Sequence, residues 1–243
     1  MGALDGRTAL VTGAGRGLGA AIAAELAAQG AHVGVLARTA AEVRGVAARV
    51  GGTPLVADVA DANRLRAVLQ SFGEADVVVA NAGVVWPLGR FVEVDMDEWE
   101  RALAINVNGA ARVVHAVLPG MLRRGWGRVV TISSGAARAP GMPSASAYST
   151  SKAALDLFTL NLAREIDGSG VTANAVRPGV VDTEMQTFMR SHPREVVGPE
   201  FHDRFHGLHE RGELVAADES ARFVVEVVLG DANGAVTDFR DRR

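Results

Sequence analysis

The strongest constraint on this chain is an alternation. Short runs rich in Val, Ile and Thr, apolar on both faces, recur between longer stretches rich in Ala and Leu. Strands are expected at 8–11, 32–37, 55–57, 77–80, 129–132, 172–176 and 235–239. Helices are expected near 18–29, 39–50, 61–72, 97–123, 148–166 and 218–229. A strand without a polar face must be covered on both sides, which helices do in a parallel sheet. Strand and helix in turn, joined by right-handed crossovers, imply a doubly wound α/β domain of Rossmann type with seven parallel strands. In such sheets ligands bind beyond the carboxyl ends of the strands. No repeat, low-complexity tract or linker divides the 243 residues, so a single domain is expected over 1–243. At the helix ends, Thr39 and Glu42 have the spacing of a capping box, Asp61 is placed to cap the next helix, and Gly30 and Gly125 stand where helices should stop.

Composition removes several classes of function. A net charge of −3 gives no electrostatic reason to expect nucleic acid or an anionic membrane surface as partner. The absence of Cys excludes disulfides, thiolate metal sites and thiol catalysis. No run approaches the ~18 apolar residues of a membrane span, and no basic start precedes an apolar run at the N-terminus. A cytoplasmic protein is expected.

Two local patterns carry chemistry. The first strand runs into Thr12-Gly-Ala-Gly-Arg-Gly-Leu-Gly19 and then a helix. Glycines let the backbone turn tightly and approach a pyrophosphate, while the helix N-terminus offers free amides and the positive end of its dipole. A tight turn without a ligand is the plainer reading, but this turn opens a βαβ unit, which favours a nucleotide. The second pattern is Tyr148-Ser-Thr-Ser-Lys152. Tyr148 is the only Tyr, and of the 25 Lys and Arg residues only position 152 is Lys. An offset of four puts both side chains on one helical face. A cation one turn away favours the phenolate, so Tyr148 should titrate below its ordinary value and serve as a proton donor. The compact ammonium can also donate to sugar hydroxyls and water.

With Asn81-Ala-Gly83, Asn106, Ser134 and Pro178-Gly179 added in order, the chain resembles the short-chain dehydrogenase/reductase family over essentially its whole length. Ala80 departs from the commoner Asn before that Asn-Ala-Gly. The resemblance implies that Tyr148 protonates a carbonyl oxygen, that Lys152 lowers the Tyr pKa and holds the nicotinamide ribose, and that Ser134 holds the substrate oxygen, with Ser133 as its neighbouring alternative. Asn106 would link through its carbonyl and a water toward Lys152, with Asn108 the alternative at the same bend. Cofactor contacts would come from Gly13, Gly15, Arg16, Gly17, Leu18 and Gly19 in the loop. Asp58 and Val59 would lie at the adenine, and Asn81, Ala82 and Gly83 after the fourth strand. Pro178, Gly179, Val181 and Thr183 would lie near the carboxamide, although Pro178-Gly179 also reads as a strand-ending turn. An acid at the end of the second strand would select NAD. Ala37 stands in that slot, followed by Arg38, and Arg16 is available nearby, so NADP(H) is expected; two solvated surface arginines are the alternative.

Residues 184–215 should form a substrate lid, lined by Met185 and Phe188 and faced by Trp86. His202, His206 and His209 share one helical face and read as a polar lid surface rather than a metal site. Asp182-Thr-Glu-Met-Gln186, Gly212-Glu-Leu-Val215 and the segment 234–241 resemble the sepiapterin reductase and benzil reductase branch. There Asp238 would anchor the guanidine-like edge of a pterin; otherwise it simply ends the last strand. The expectation is an NADPH-dependent reductase of a ketone or dicarbonyl, forming a homodimer or homotetramer. A 3-oxoacyl-(acyl-carrier-protein) reductase, its carrier held by Arg123, Arg124 and Arg128, or a non-catalytic NADPH-sensing regulator are the alternatives.

Overall fold

The computed structural model describes residues 2–242. Seven strands run among them: β1 Thr8–Thr12, β2 His32–Ala37, β3 Thr53–Val56, β4 Val77–Ala80, β5 Gly127–Ile132, β6 Val171–Arg177 and β7 Val236–Asp238. All pair in parallel, in the order β3-β2-β1-β4-β5-β6-β7. The helices are α1 Gly17–Ala28, α2 Ala40–Val50, α3 Ala62–Phe72, α4 Met96–Leu103, α5 Ala110–Arg124, α6 Ser146–Glu165, α7 Glu184–Arg190, α8 Arg194–Val197, α9 Pro199–Glu210 and α10 Ala217–Leu229. No helix of the described residues is long and apolar enough to cross a membrane.

The doubly apolar strands follow from two separate cores. Ala9, Val11, Val33, Val35, Val77 and Val79 pack with Ile22 and Leu26 of α1, Val43 of α2 and Val224 of α10. The alternate residues Leu10, Leu36, Val78 and Val129 pack on the opposite face with Leu65 of α3, Val113 of α5 and Leu162 of α6. Successive side chains of a strand point to opposite faces, so one apolar run feeds both layers, each buried aliphatic contributing about 1.5–3 kcal/mol.

Three expectations need correction. The third strand lies earlier than 55–57, because pairing with Gly34–Ala37 of β2 recruits Thr53 and Pro54. The single helix expected over 97–123 is interrupted by a π-helical segment at Ala104–Gly109, between α4 and α5. The capping box at Thr39 does not form: Thr39 makes no side-chain cap bond, and Glu42 turns toward Arg16. Asp61 does cap α3, accepting from the amides of Asn63 and Arg64, and Gly125 ends α5 in the left-handed conformation.

Candidate active site

The strand order reverses between β1 and β4, and the two strand ends are tied together there. Thr12 Oγ1 accepts from the amides of Asn81 and Ala82, each at 3.0 Å, and Asn81 Nδ2 donates to the Thr12 carbonyl at 2.9 Å and the Gly13 carbonyl at 3.3 Å. The loop after β1 closes so tightly that a Cβ on Gly19 would lie 2.3 Å from the Gly13 oxygen and 2.5 Å from Asn81 Nδ2. Only glycine fits at that position. Helix α1 starts after Arg16 with no side chain capping it, whereas Asp61 and Asp95 cap α3 and α4. Uncapped first-turn amides beside a glycine loop match the demands of a dinucleotide pyrophosphate.

All but one of the site residues expected from the sequence line a single cleft of about 630 Å³. The loop, Arg38, Asp58 and Val59, 81–83, Ser134, Tyr148, Lys152, Pro178, Gly179, Val181 and Thr183 all border it, as do Trp86, Met185, Phe188 and Asp238. The exception is Asn106, which stands behind the wall. It is fully buried in the π-helical segment, while Asn108 is exposed. Its Oδ1 accepts from the Val84 amide at 2.8 Å, and its Nδ2 donates to the Val84 carbonyl at 2.8 Å and to Ser151 Oγ at 2.9 Å. Ser151 in turn donates to the Tyr148 carbonyl at 2.8 Å. The Asn106 side chain is thus a brace that clamps the segment following Asn81-Ala-Gly83 to α6.

Tyr148 and Lys152 lie on the inward face of α6. Ser134 Oγ accepts from the Ala136 amide at 3.2 Å and stands beside the Tyr148 phenol, where it favours the phenolate. Ser133 is buried, and its hydroxyl finds no partner among the described residues. Lys152 Nζ lies 5.6 Å from the Tyr148 ring centroid and donates to the Ile132 carbonyl at 2.6 Å. Burial raises the Tyr148 pKa above its ordinary value against the opposing effect of Ser134, the reverse of the expected lowering, because desolvation of the phenolate dominates. Burial also lowers Lys152 to about 8, while Asp156 one turn on pulls it upward. Asp156 Oδ2 meets Arg177 Nη2 at 2.5 Å, a partner pair the sequence reading missed.

At the β2 side of the cleft, Arg16 pairs with Glu184 and lies 3.6 Å from Glu42. It is therefore not a free cation. Arg38 is exposed and has no ion pair among the described residues. Asp58 turns back to accept from the Ala60 amide at 2.9 Å. Met189, Phe201 and Phe205 from the segment 184–215 share an apolar cluster with Tyr148, and His206 bonds the Arg190 carbonyl at 3.1 Å. Asp238 borders the cleft, but its carboxylate is engaged by Arg240 and Arg138, so it is closed to a substrate's guanidine-like edge. The sequence reading missed Arg240 and Arg204, which also line the cleft. Arg240 lies only two residues from the aspartate singled out, and that spacing was the available signal.

Residues 7–194 match the family described as short chain dehydrogenase. The chain is 36% identical to the 3-oxoacyl-[acyl-carrier-protein] reductase FabG of Pseudomonas aeruginosa, covering 96% of this chain and 94% of that one. Among solved structures it is similar to the KRED1-Pglu enzyme, with a TM-score of 0.87 and 32% identity over 95% of this chain and 99% of that one. It is similar to an NAD+-bound xylitol dehydrogenase, with a TM-score of 0.86 and 26% identity over 97% and 98%. A gluconate 5-dehydrogenase from Burkholderia cenocepacia in complex with NADP and tartrate matches with a TM-score of 0.84 and 27% identity over 97% and 94%. The protein belongs to the short-chain dehydrogenase/reductase family: it is an oxidoreductase of a family that uses nicotinamide cofactors.

Proposed function

We propose that this protein is an NADPH-dependent reductase of ketones or dicarbonyls, with Tyr148 as proton donor. The observation that carries this reading is that Tyr148 and Ser134 stand together in one cleft, with Lys152 on the same face of α6. A bound nicotinamide would supply the hydride. Ser134 holds the carbonyl oxygen against the phenol, which stays protonated at neutral pH, and Tyr148 passes its proton to that oxygen. Lys152 holds the ribose and steadies the charge left on Tyr148, and Asn106 positions α6 through Ser151. The segment 184–215 acts as the lid, excluding water through Met189 and Phe205. The long helices α5 and α6 expose Leu122 and Leu157, apolar surface that a homodimer or homotetramer would cover.

Ala37 in place of an acid, with the unpaired Arg38 beside it, supports NADPH over NADH. Arg38→Asp combined with Arg16→Ala is expected to shift the NADPH-to-NADH ratio of kcat/KM roughly 10- to 100-fold toward NADH, the worth of a charge-assisted bond. An unchanged ratio would remove this assignment. The Lys152 ammonium should be lost as pH rises through about 8, so reductase kcat/KM is expected to fall on that alkaline side. Asp156→Asn removes the charge that raises the Lys152 pKa and leaves Arg177 uncompensated, and both changes move the limb to lower pH. A limb that stays put in Asp156→Asn would separate it from Lys152.

The FabG likeness favours a second reading, a 3-oxoacyl reductase. Its carrier would need a basic surface, yet Arg123 and Arg124 pair with Glu74, and Arg128 is buried. All three sit where α5 feeds the start of β5, away from the carboxyl ends that border the cleft. NADPH oxidation measured with diketones, quinones, pterins and acyl thioesters decides between the readings. Turnover of diketones or quinones supports the proposal, a strong preference for acyl thioesters supports the second reading, and cofactor binding without turnover of any of them leaves a sensor.

A further inference from the structure

The C-terminal turn reverses the polarity expected at the substrate end of the cleft. Asp238 ends β7 with its side chain only 1% exposed. Arg240 folds back over it: Nε donates to Oδ1 at 3.0 Å, Nη2 to Oδ2 at 2.8 Å, and the Arg240 backbone amide to Oδ1 at 3.0 Å. Arg138 Nη2 approaches Oδ2 at 3.3 Å and also lies 3.5 Å from Asp241. Burial alone would raise the Asp238 carboxyl, but the bonds from Arg240 hold it below its ordinary value. The carboxylate is saturated.

The group left to face the cleft is the guanidinium. The Arg240 side chain is 52% exposed and borders the cleft. A guanidinium clamped along its Nε and Nη2 edge keeps Nη1 and one hydrogen of Nη2 free. The face of the guanidinium lies over Gly135, which leaves that edge open: a Cβ built there would be 3.3 Å from Nη2, 3.7 Å from Cζ and 3.9 Å from Nη1. Gly135 directly follows Ser134, which stands beside Tyr148, so a larger residue would push the guanidinium away from the reacting carbonyl. Arg204 of α9 borders the same cleft and has no ion pair among the described residues. A planar two-hydrogen edge matches a carboxylate, and the buried Asp238 removes the entropy cost of holding that edge in place.

We propose that Arg240, fixed by Asp238, is a specificity-determining residue that binds a carboxylate on the substrate, so that the cleft favours keto acids. This rests on the carbonyl-reductase reading above. The test uses matched pairs, benzoylformate with its methyl ester and levulinate with its methyl ester, in the wild type, Arg240→Met and Arg240→Lys, with NADPH binding measured for each. For at least one pair, the acid-to-ester ratio of kcat/KM should fall about tenfold or more in Arg240→Met, chiefly through KM, as expected for loss of a charge-assisted bond. Arg240→Lys should lie between. If Arg240→Met no longer binds NADPH, Arg240→Lys carries the comparison, with a lowered ratio again expected. A ratio within about twofold of wild type for both pairs, well below one such bond, overturns the inference. So does a wild type that reduces the esters and rejects both acids, and in that case the reductase reading survives. A wild type that reduces neither acids nor esters, nor any other carbonyl, removes both.

Discussion

Replacing Tyr148 by Phe is expected to lower kcat by about 10²- to 10⁴-fold, the usual worth of a positioned general acid, with NADPH affinity unchanged. The ring is part of an apolar cluster with Val85, Ala136, Ala145, Met189 and Phe205, and Phe keeps that packing. The change removes one oxygen, the one beside Ser134. Ser134 retains its bond from the Ala136 amide, so the wall of the cleft stays in place. The loop that would hold the pyrophosphate lies on β1 and α1, apart from α6. The measurement is steady-state turnover beside a cofactor titration by fluorescence. Turnover within about threefold of wild type, well short of a general acid's contribution, would mean that the proton comes from elsewhere.

Asn106→Ala should be the most destabilising of the single substitutions considered, by about 2–4 kcal/mol, because it strands the amide and carbonyl of Val84 and the hydroxyl of Ser151 together. Asn106 is fully buried, and alanine leaves a cavity that the neighbouring π-helical backbone cannot easily fill. The loss should appear as a lower midpoint of urea unfolding with an unchanged slope. Turnover should fall as well, since a Cβ on Gly83 would lie 3.3 Å from Asn106 Oδ1 and 3.4 Å from Lys152 Nζ, so the brace and the ammonium share one wall. A loss of stability under about 1 kcal/mol would show that water replaces these bonds without penalty.

Much of the fold was legible in the sequence because its signals are local or periodic. Runs such as Val77–Ala80 are apolar on both faces, and only a sheet covered on both sides accommodates them. The spacing of Tyr148 and Lys152 gives a shared helical face from geometry alone, and the glycine loop announces its own tight turn. What escaped depends on contacts between distant residues. Glu42 satisfies the local rule for a capping box, but Arg16 in another loop competes for it and wins. Residues 104–109, Ala-Ile-Asn-Val-Asn-Gly, are poor helix formers that hint at a bend, but not that it would be π-helical with Asn106 anchored to Val84. The β3 register is set by its neighbour rather than by its own sequence. Asp238 was visible as an acid, but not that Arg240 would close over it. The pKa of Tyr148 went the other way because spacing reveals a neighbouring cation and not the depth of burial.

The central claim is that the cleft transfers hydride from the nicotinamide to a carbonyl carbon. The most direct measurement supplies NADPH deuterated at C4, in its 4R and 4S forms separately, and examines the alcohol product by mass spectrometry. The account expects one form, and not the other, to place a single deuterium on the carbinol carbon, with one NADPH consumed per alcohol formed. A cleft that binds NADPH yet yields no deuterated alcohol from either form, with any ketone or dicarbonyl, would contradict it.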